Sequence, residues 1–113
     1  MIVLVCGGRR YFDEEHMEKI LDKLFEDYPE ACIVQGGAPG ADNLAKIYCK
    51  KRGKPCLTME APWDFYKSYG GSIRNEWMLK YCDVQMVLHF PGGPGTANMV
   101  NQAQIRKIPT YAC

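Results

Sequence analysis

The sequence predicts an α/β fold in three layers, a mostly parallel sheet of about five strands between helices. Three observations predict it. Short apolar runs alternate with amphipathic segments from end to end. Glycine clusters sit where an apolar run gives way to a helical pattern. A chain of 113 residues can bury one core without metal or disulfide staples, so residues 1–113 read as a single Rossmann-like unit.

The elements follow in order. Residues 2–6 are apolar throughout, as a strand buried on both faces must be. Asp13 is placed to cap a helix, with Glu14 and Glu15 in its first turn, where acids favour the positive end of the helix dipole. Met17, Ile20, Leu21, Leu24 and Tyr28 give that helix one apolar face, and Pro29 ends it. A second strand spans about 31–35, and Gly36-Gly37-Ala38-Pro39-Gly40 then opens a helix that stops at Gly53. Residues 55–59 suggest a third strand. Ser72 is expected to cap a helix running to about Tyr81, followed by a strand over 84–90. Residues 91–96 form a further glycine loop opening the last helix, and 108–111 a short final strand.

Composition narrows the function. The hydrophobic fraction of 47% and charged fraction of 24% are those of a globular protein, and no apolar run is long enough to span a membrane. The chain opens on a strand-like run without a signal-peptide pattern, so a cytoplasmic protein is expected. A net charge of +1 argues against a nucleic-acid partner. Lys46, Lys50, Lys51, Arg52 and Lys54 cluster at a helix end, where solvation and the dipole explain them better than a phosphate patch does. The six cysteines contain no C-x-x-C pair and no ligand-spaced His/Cys cluster, so all are read as reduced, with no metal and no cofactor expected.

In an open parallel sheet, ligands bind beyond the carboxyl ends of the strands. Gly7-Gly8, Gly36-Gly37 and Gly92-Gly93 with Gly95 all fall there. Such loops let backbone N–H groups approach an anion, and the following helix N-terminus adds free donors. Tight turns alone would also use glycine, but three loops at one edge favour a ligand. Thr96 is placed to cap the last helix and to donate its hydroxyl to a phosphate. Arg9, Arg10 and Arg74 offer guanidinium forks for phosphate, or solvated surface charge, and Asn75 follows Arg74 at the same helix start. Asp42 could accept from ribose hydroxyls or cap its own helix. Trp63, Phe65, Tyr66 and Tyr69 could close over a ligand or anchor their loop to the core. Trp77 and Met78 read as core, and neither His16 nor His89 shows a catalytic partner.

Four motifs occur in register: 5–13 (Val-Cys-Gly-Gly-Arg-Arg-Tyr-Phe-Asp), 34–42 (Val-Gln-Gly-Gly-Ala-Pro-Gly-Ala-Asp), 70–75 (Gly-Gly-Ser-Ile-Arg-Asn) with Met78, and 90–96 (Phe-Pro-Gly-Gly-Pro-Gly-Thr). Together they resemble the YspA-like branch of the SLOG superfamily, which also holds the lysine-decarboxylase-like LOG phosphoribohydrolases and the DNA-processing protein DprA. The resemblance implies a homodimeric Rossmann-like domain that recognises nucleotides or ADP-ribose-like derivatives. It implies ligand contacts from Gly7, Gly8, Arg9, Gly36, Gly37, Asp42, Arg74 and Asn75, with Gly92, Gly93, Gly95 and Thr96 on phosphate.

One departure separates the chain from the hydrolases. They carry a glutamate three residues after the threonine, where this chain has Met99. A carboxylate stabilises positive charge on a ribose as the N-glycosidic bond breaks, and methionine cannot. The expectation is therefore a sensor or sequestering protein for a nucleotide-derived small molecule, of the kind a phage or defence system would use. The alternative is a phosphoribohydrolase using Arg74 with Asp42 or Glu76; DprA-like single-stranded DNA binding ranks below both.

Overall fold

A computed structural model describes residues 1–60 and 70–113. The elements are β1 (Ile2–Cys6), α1 (Glu14–Asp27), β2 (Cys32–Gln35), α2 (Ala41–Arg52), β3 (Cys56–Thr58), α3 (Gly70–Tyr81), β4 (Met86–His89), α4 (Pro94–Ile105) and β5 (Thr110–Ala112). The five strands form one all-parallel sheet in the order β3-β2-β1-β4-β5. The chain therefore winds outward from β1 in one direction and restarts at β4 in the other. The reversal falls between β1 and β4, where the strand-end loops part and leave room for a ligand.

Strand alternation divides the core. Val3 and Val5 of β1 pack with Ile33, Leu88 and the inner faces of α1 and α2, including Met17, Leu21, Ala45 and Tyr48. Leu4 and Cys6 point the other way, onto Met78 and Leu79 of α3 and Met99 and Ala103 of α4. β1 lies between both layers, which is why its run carries no polar residue.

Helix ends follow from local chemistry, with three differences from expectation. Asp13 caps α1 by accepting from His16 N at 3.0 Å, and Gly53 closes α2 in the left-handed conformation at φ 64°. Ser72 caps nothing, because the chain is already helical at Gly70. Gly70 is buried, so packing there overrides the poor helix propensity of glycine. Thr96 is not a cap either: Gly93 takes that place, and Pro94 supplies the first helical residue with its fixed φ. Asp42 also leaves its helix uncapped, since Gly40 holds the N-cap position at φ 84° with no side-chain bond. The fourth strand is shorter than 84–90, and the last lies at 110–112 rather than 108–111.

The basic cluster forms surface ion pairs. Lys51 Nζ meets Glu14 Oε1 at 2.8 Å, Arg52 Nη1 meets Asp22 Oδ1 at 2.7 Å, and the Lys54 ammonium lies over the Phe25 ring. All six cysteines are free. Among the described residues, no helix is long and apolar enough to cross a membrane, and no group of three or more His, Cys, Asp or Glu could hold a metal.

Candidate functional site

The first, second and fourth strand-end loops interlock. Gly8 N donates to Pro91 O at 2.8 Å, and Gly8 O accepts from Ala41 N at 3.1 Å. A Cβ on Gly7 would lie 2.6 Å from the Ala41 Cβ, and one on Gly92 would lie 2.7 Å from Gly8 N and against the Thr96 hydroxyl. These glycines are required by loop-on-loop packing, whatever binds above them. Gly93 and Gly95 differ. A Cβ there meets nothing within 4 Å, so packing gives no reason for their lack of a side chain.

Over the interlocked loops lies a cavity of about 910 Å³. Its walls include Gly7, Gly8, Arg9, Arg10, Gly36, Asp42, Arg74, Asn75, Gly92, Gly93, Gly95 and Thr96, all singled out from the sequence. Gly37 and Glu76 are absent from its lining, and Glu76 is exposed on α3. Trp63, with Phe65, Tyr66 and Tyr69, lies outside the described residues. Met78 is buried in the second core layer and borders the cavity, while Trp77 is half-buried. His16 bonds through Nε2 to the Cys113 carbonyl oxygen at 2.7 Å, away from the cavity walls.

The floor brings a carboxylate and a guanidinium together on braced loops, each held by backbone or side-chain hydrogen bonds. Asp42, buried at the start of α2, reaches back rather than capping its helix: Oδ2 accepts from Gly36 N and Ala38 N, each at 3.2 Å. Burial pushes its carboxyl up, while the Ala38 N–H, the Arg74 guanidinium and the Gly36 N–H pull it back down. Arg74 Nη1 donates to Gly36 O at 2.9 Å and Nε donates to Asn75 Oδ1 at 3.1 Å. Any side chain on Gly36 would collide with that guanidinium. Burial lowers the Arg74 pKa, opposed by Asp42.

Asn75 is a brace, not a free ligand donor. It is buried, and its Nδ2 donates to Gly95 O at 3.2 Å and to Asn98 Oδ1 at 3.0 Å. Asn98 Oδ1 also accepts from Gln102 Nε2 at 2.8 Å. One amide thus fixes Arg74 on one side and the start of α4 on the other. At that start, the first intrahelical bond runs from Ala97 N to Gly93 O. The N–H groups of Gly93, Gly95 and Thr96 have no backbone acceptor among the described residues, and all three residues face the cavity. Cys6, at the cavity floor, is pushed up to about 12 by burial and then by Asp42, so it is no nucleophile.

Several supporting residues escaped the sequence reading. Gln35 is fully buried; its Oε1 accepts from Gly37 N at 2.6 Å and its Nε2 binds Thr58 Oγ1, holding the second loop. A polar residue ending an apolar strand was the available signal. Asn98 and Gln102 stand four apart on α4, the spacing of a helix-face pair. Tyr11 borders the cavity with its ring on Phe90, and its hydroxyl is buried without a hydrogen-bond partner among the described residues.

With this geometry in view, comparison with known proteins matches residues 1–66 to the family described as YspA, cpYpsA-related SLOG. The chain belongs to that SLOG family. The match covers β1 to β3 and so two of the three glycine loops; Arg74, Asn75 and the α4 N-terminus of this SLOG protein lie beyond it. SLOG membership carries nucleotide-derived ligand binding as a general family property, without naming a ligand. No curated protein matches the chain.

Proposed function

We propose that the cavity holds the phosphate-bearing part of a nucleotide or ADP-ribose-like molecule, and that the protein senses or sequesters it. The observation that carries this reading is the start of α4: the unspent N–H groups of Thr96 and of two glycines without a packing role, Gly93 and Gly95, opening into a cavity that Arg74, Arg9 and Arg10 also line. Unspent donors at a helix N-terminus and nearby guanidinium groups suit an anion. The cavity is far larger than one phosphate and leaves room for a sugar and base.

Binding is favoured over cleavage by the lining of the cavity. Asp42 is the one carboxylate lining the cavity among the described residues, and its Oδ2 is committed to two loop N–H groups. Met99, buried and among the residues lining the cavity, stands where the phosphoribohydrolases carry a glutamate, and a methionine cannot stabilise an oxocarbenium ion. The family resemblance further supports a homodimer, which the hydrodynamic mass of the purified protein tests.

Thermal unfolding against nucleoside mono- and diphosphates, ADP-ribose and cyclic ADP-ribose, with each compound recovered afterwards, tests the reading. Binding to the native state raises Tm by mass action. A raised Tm with the compound returned intact is expected. Release of free base would replace the binding reading with a hydrolase, and no shift from any phosphate-bearing compound would refute the site.

A further inference from the structure

Helix α4 divides its surface three ways. Met99 and Ala103 are buried in the second core layer, while Asn98 and Gln102 turn to α3, bonding to Asn75 and to the Ser72 carbonyl oxygen. The third stripe is Ala97, Val100, Asn101 and Gln104, at the i, i+3, i+4, i+7 spacing of one helix face. It lines a second cavity, of about 440 Å³, together with His89 and Ala112, which pair at the carboxyl ends of β4 and β5. This cavity therefore opens at the same edge of the sheet as the first.

The two cavities share a wall: Pro91, Gly92, Gly93 and Thr96 line both. The N–H groups of Gly93 and Thr96, which lack backbone acceptors among the described residues, thus stand between them. Gly93 has a φ of −107°, which any residue adopts, and a Cβ there would meet nothing within 4 Å. Neither backbone conformation nor packing accounts for a glycine at this point. A ligand that crosses it from one cavity to the other does.

We infer that the second cavity takes the second arm of a pyrophosphate diester, a diphosphate carrying a nucleoside at one end and a sugar or a second nucleoside at the other. The inference rests on the phosphate reading above and narrows its ligand class. A phosphate monoester has a single organic substituent and ends at the α4 donors. A diphosphate esterified at both ends leaves those donors in two directions, one into each cavity. The lining suits such an arm. The half-buried His89 side chain has no hydrogen-bond partner among the described residues, and neither do the exposed amides of Asn101 and Gln104. All three offer donors and acceptors to sugar hydroxyls or the edge of a base, beside apolar surface from Phe90, Val100 and Ala112.

Isothermal titration calorimetry with ADP, ADP-ribose and diadenosine diphosphate separates the two sites. The wild-type protein should bind at least one of the two-armed compounds at least about tenfold more tightly than ADP. Ala97→Phe and, one turn further along, Asn101→Phe each put a ring into the second cavity from an exposed position that does not line the first. Each should bring that compound down to the affinity of ADP, while ADP itself stays within about twofold of wild type. Loss for ADP-ribose identifies the second arm as a sugar, and loss for diadenosine diphosphate as a second nucleoside. His89→Ala should weaken the same compound about threefold or more. Two-armed compounds that bind no more tightly than ADP, that keep their affinity in both blocking variants, or that weaken only in step with ADP would overturn the second site and leave the phosphate reading standing. No binding of any of the three would remove the phosphate reading, and this inference with it.

Discussion

Asn75 offers a test in which stability and ligand binding separate. Its amide makes three hydrogen bonds, accepting from Arg74 Nε and donating to Gly95 O and Asn98 Oδ1. In Asn75→Ala all three are lost. Asn98 Oδ1 keeps Gln102 as a donor, but the Gly95 carbonyl loses the side-chain partner it has here. At about 1 kcal/mol net per bond, with about 1 kcal/mol more for a desolvated group left unpaired, the loss is about 4 kcal/mol. For a chain of this size that is a fall of about 16 °C in Tm. Asn75→Asp keeps the shape but sets a carboxylate oxygen against two other oxygens, 3.2 and 3.0 Å from the present Nδ2. It should destabilise by at least about 2 kcal/mol. Differential scanning calorimetry without ligand checks both. If both variants melt within 2 °C of wild type, a shift expected of only ~0.5 kcal/mol, and lose only ligand affinity, the bracing argument is wrong.

Other consequences follow from the same contacts. Gly92→Ala drives a methyl into Gly8 N and Thr96 and should cost about 2 kcal/mol or more, whereas Gly95→Ala enters open space in a helix and should add up to about 0.5 kcal/mol of stability; the reverse order in urea denaturation would refute the division between packing and cavity glycines. Burial raises the Asp42 pKa above its unfolded value of 3.8, so its folded state holds the proton more firmly and stability falls as pH rises from about 4 through the raised value. The Tm of Asp42→Asn minus that of wild type should therefore rise between pH 4 and pH 7, and a falling difference would show the carboxylate to be stabilised instead. Lys50→Ala with Lys51→Ala should shift stability by less than about 1 kcal/mol and leave nucleotide affinity unchanged, because the Lys51 pairs, with exposed Glu14 and half-buried Glu18, lie at the surface; a tenfold loss of affinity would move the anion site to the end of α2.

Much of this arrangement is written locally in the sequence. β1 and α1 carry strong periodicity and a clear Asp13 cap, and they fold where those signals place them. The three glycine loops gather at one end because every strand is parallel, a consequence of alternation that needs no long-range information. What local reasoning could not supply is the side-chain traffic between loops. Asp42 looks like a cap because acids favour a first turn, but Gly40 turns the chain so that the carboxylate faces back toward Gly36 and Ala38. Asn75 looks like a ligand residue because it follows Arg74; only the packing of α3 against α4 shows its amide spent on Gly95 and Asn98. Ser72 has the chemistry of a cap, yet its helix already includes buried Gly70. Glu76 is close to Arg74 in sequence but turns outward on the helix.

The central claim is that phosphate rests on the N-terminus of α4, and amide spectra of the nitrogen-15-labelled protein test it most directly. On titration with ADP-ribose or a nucleoside diphosphate, the Gly93, Gly95 and Thr96 amide protons should move downfield as they take up a charged acceptor, with the Arg74 guanidinium signals shifting alongside them. Saturable shifts confined to the Lys46–Lys54 helix end, or none at these three amides, would contradict the account.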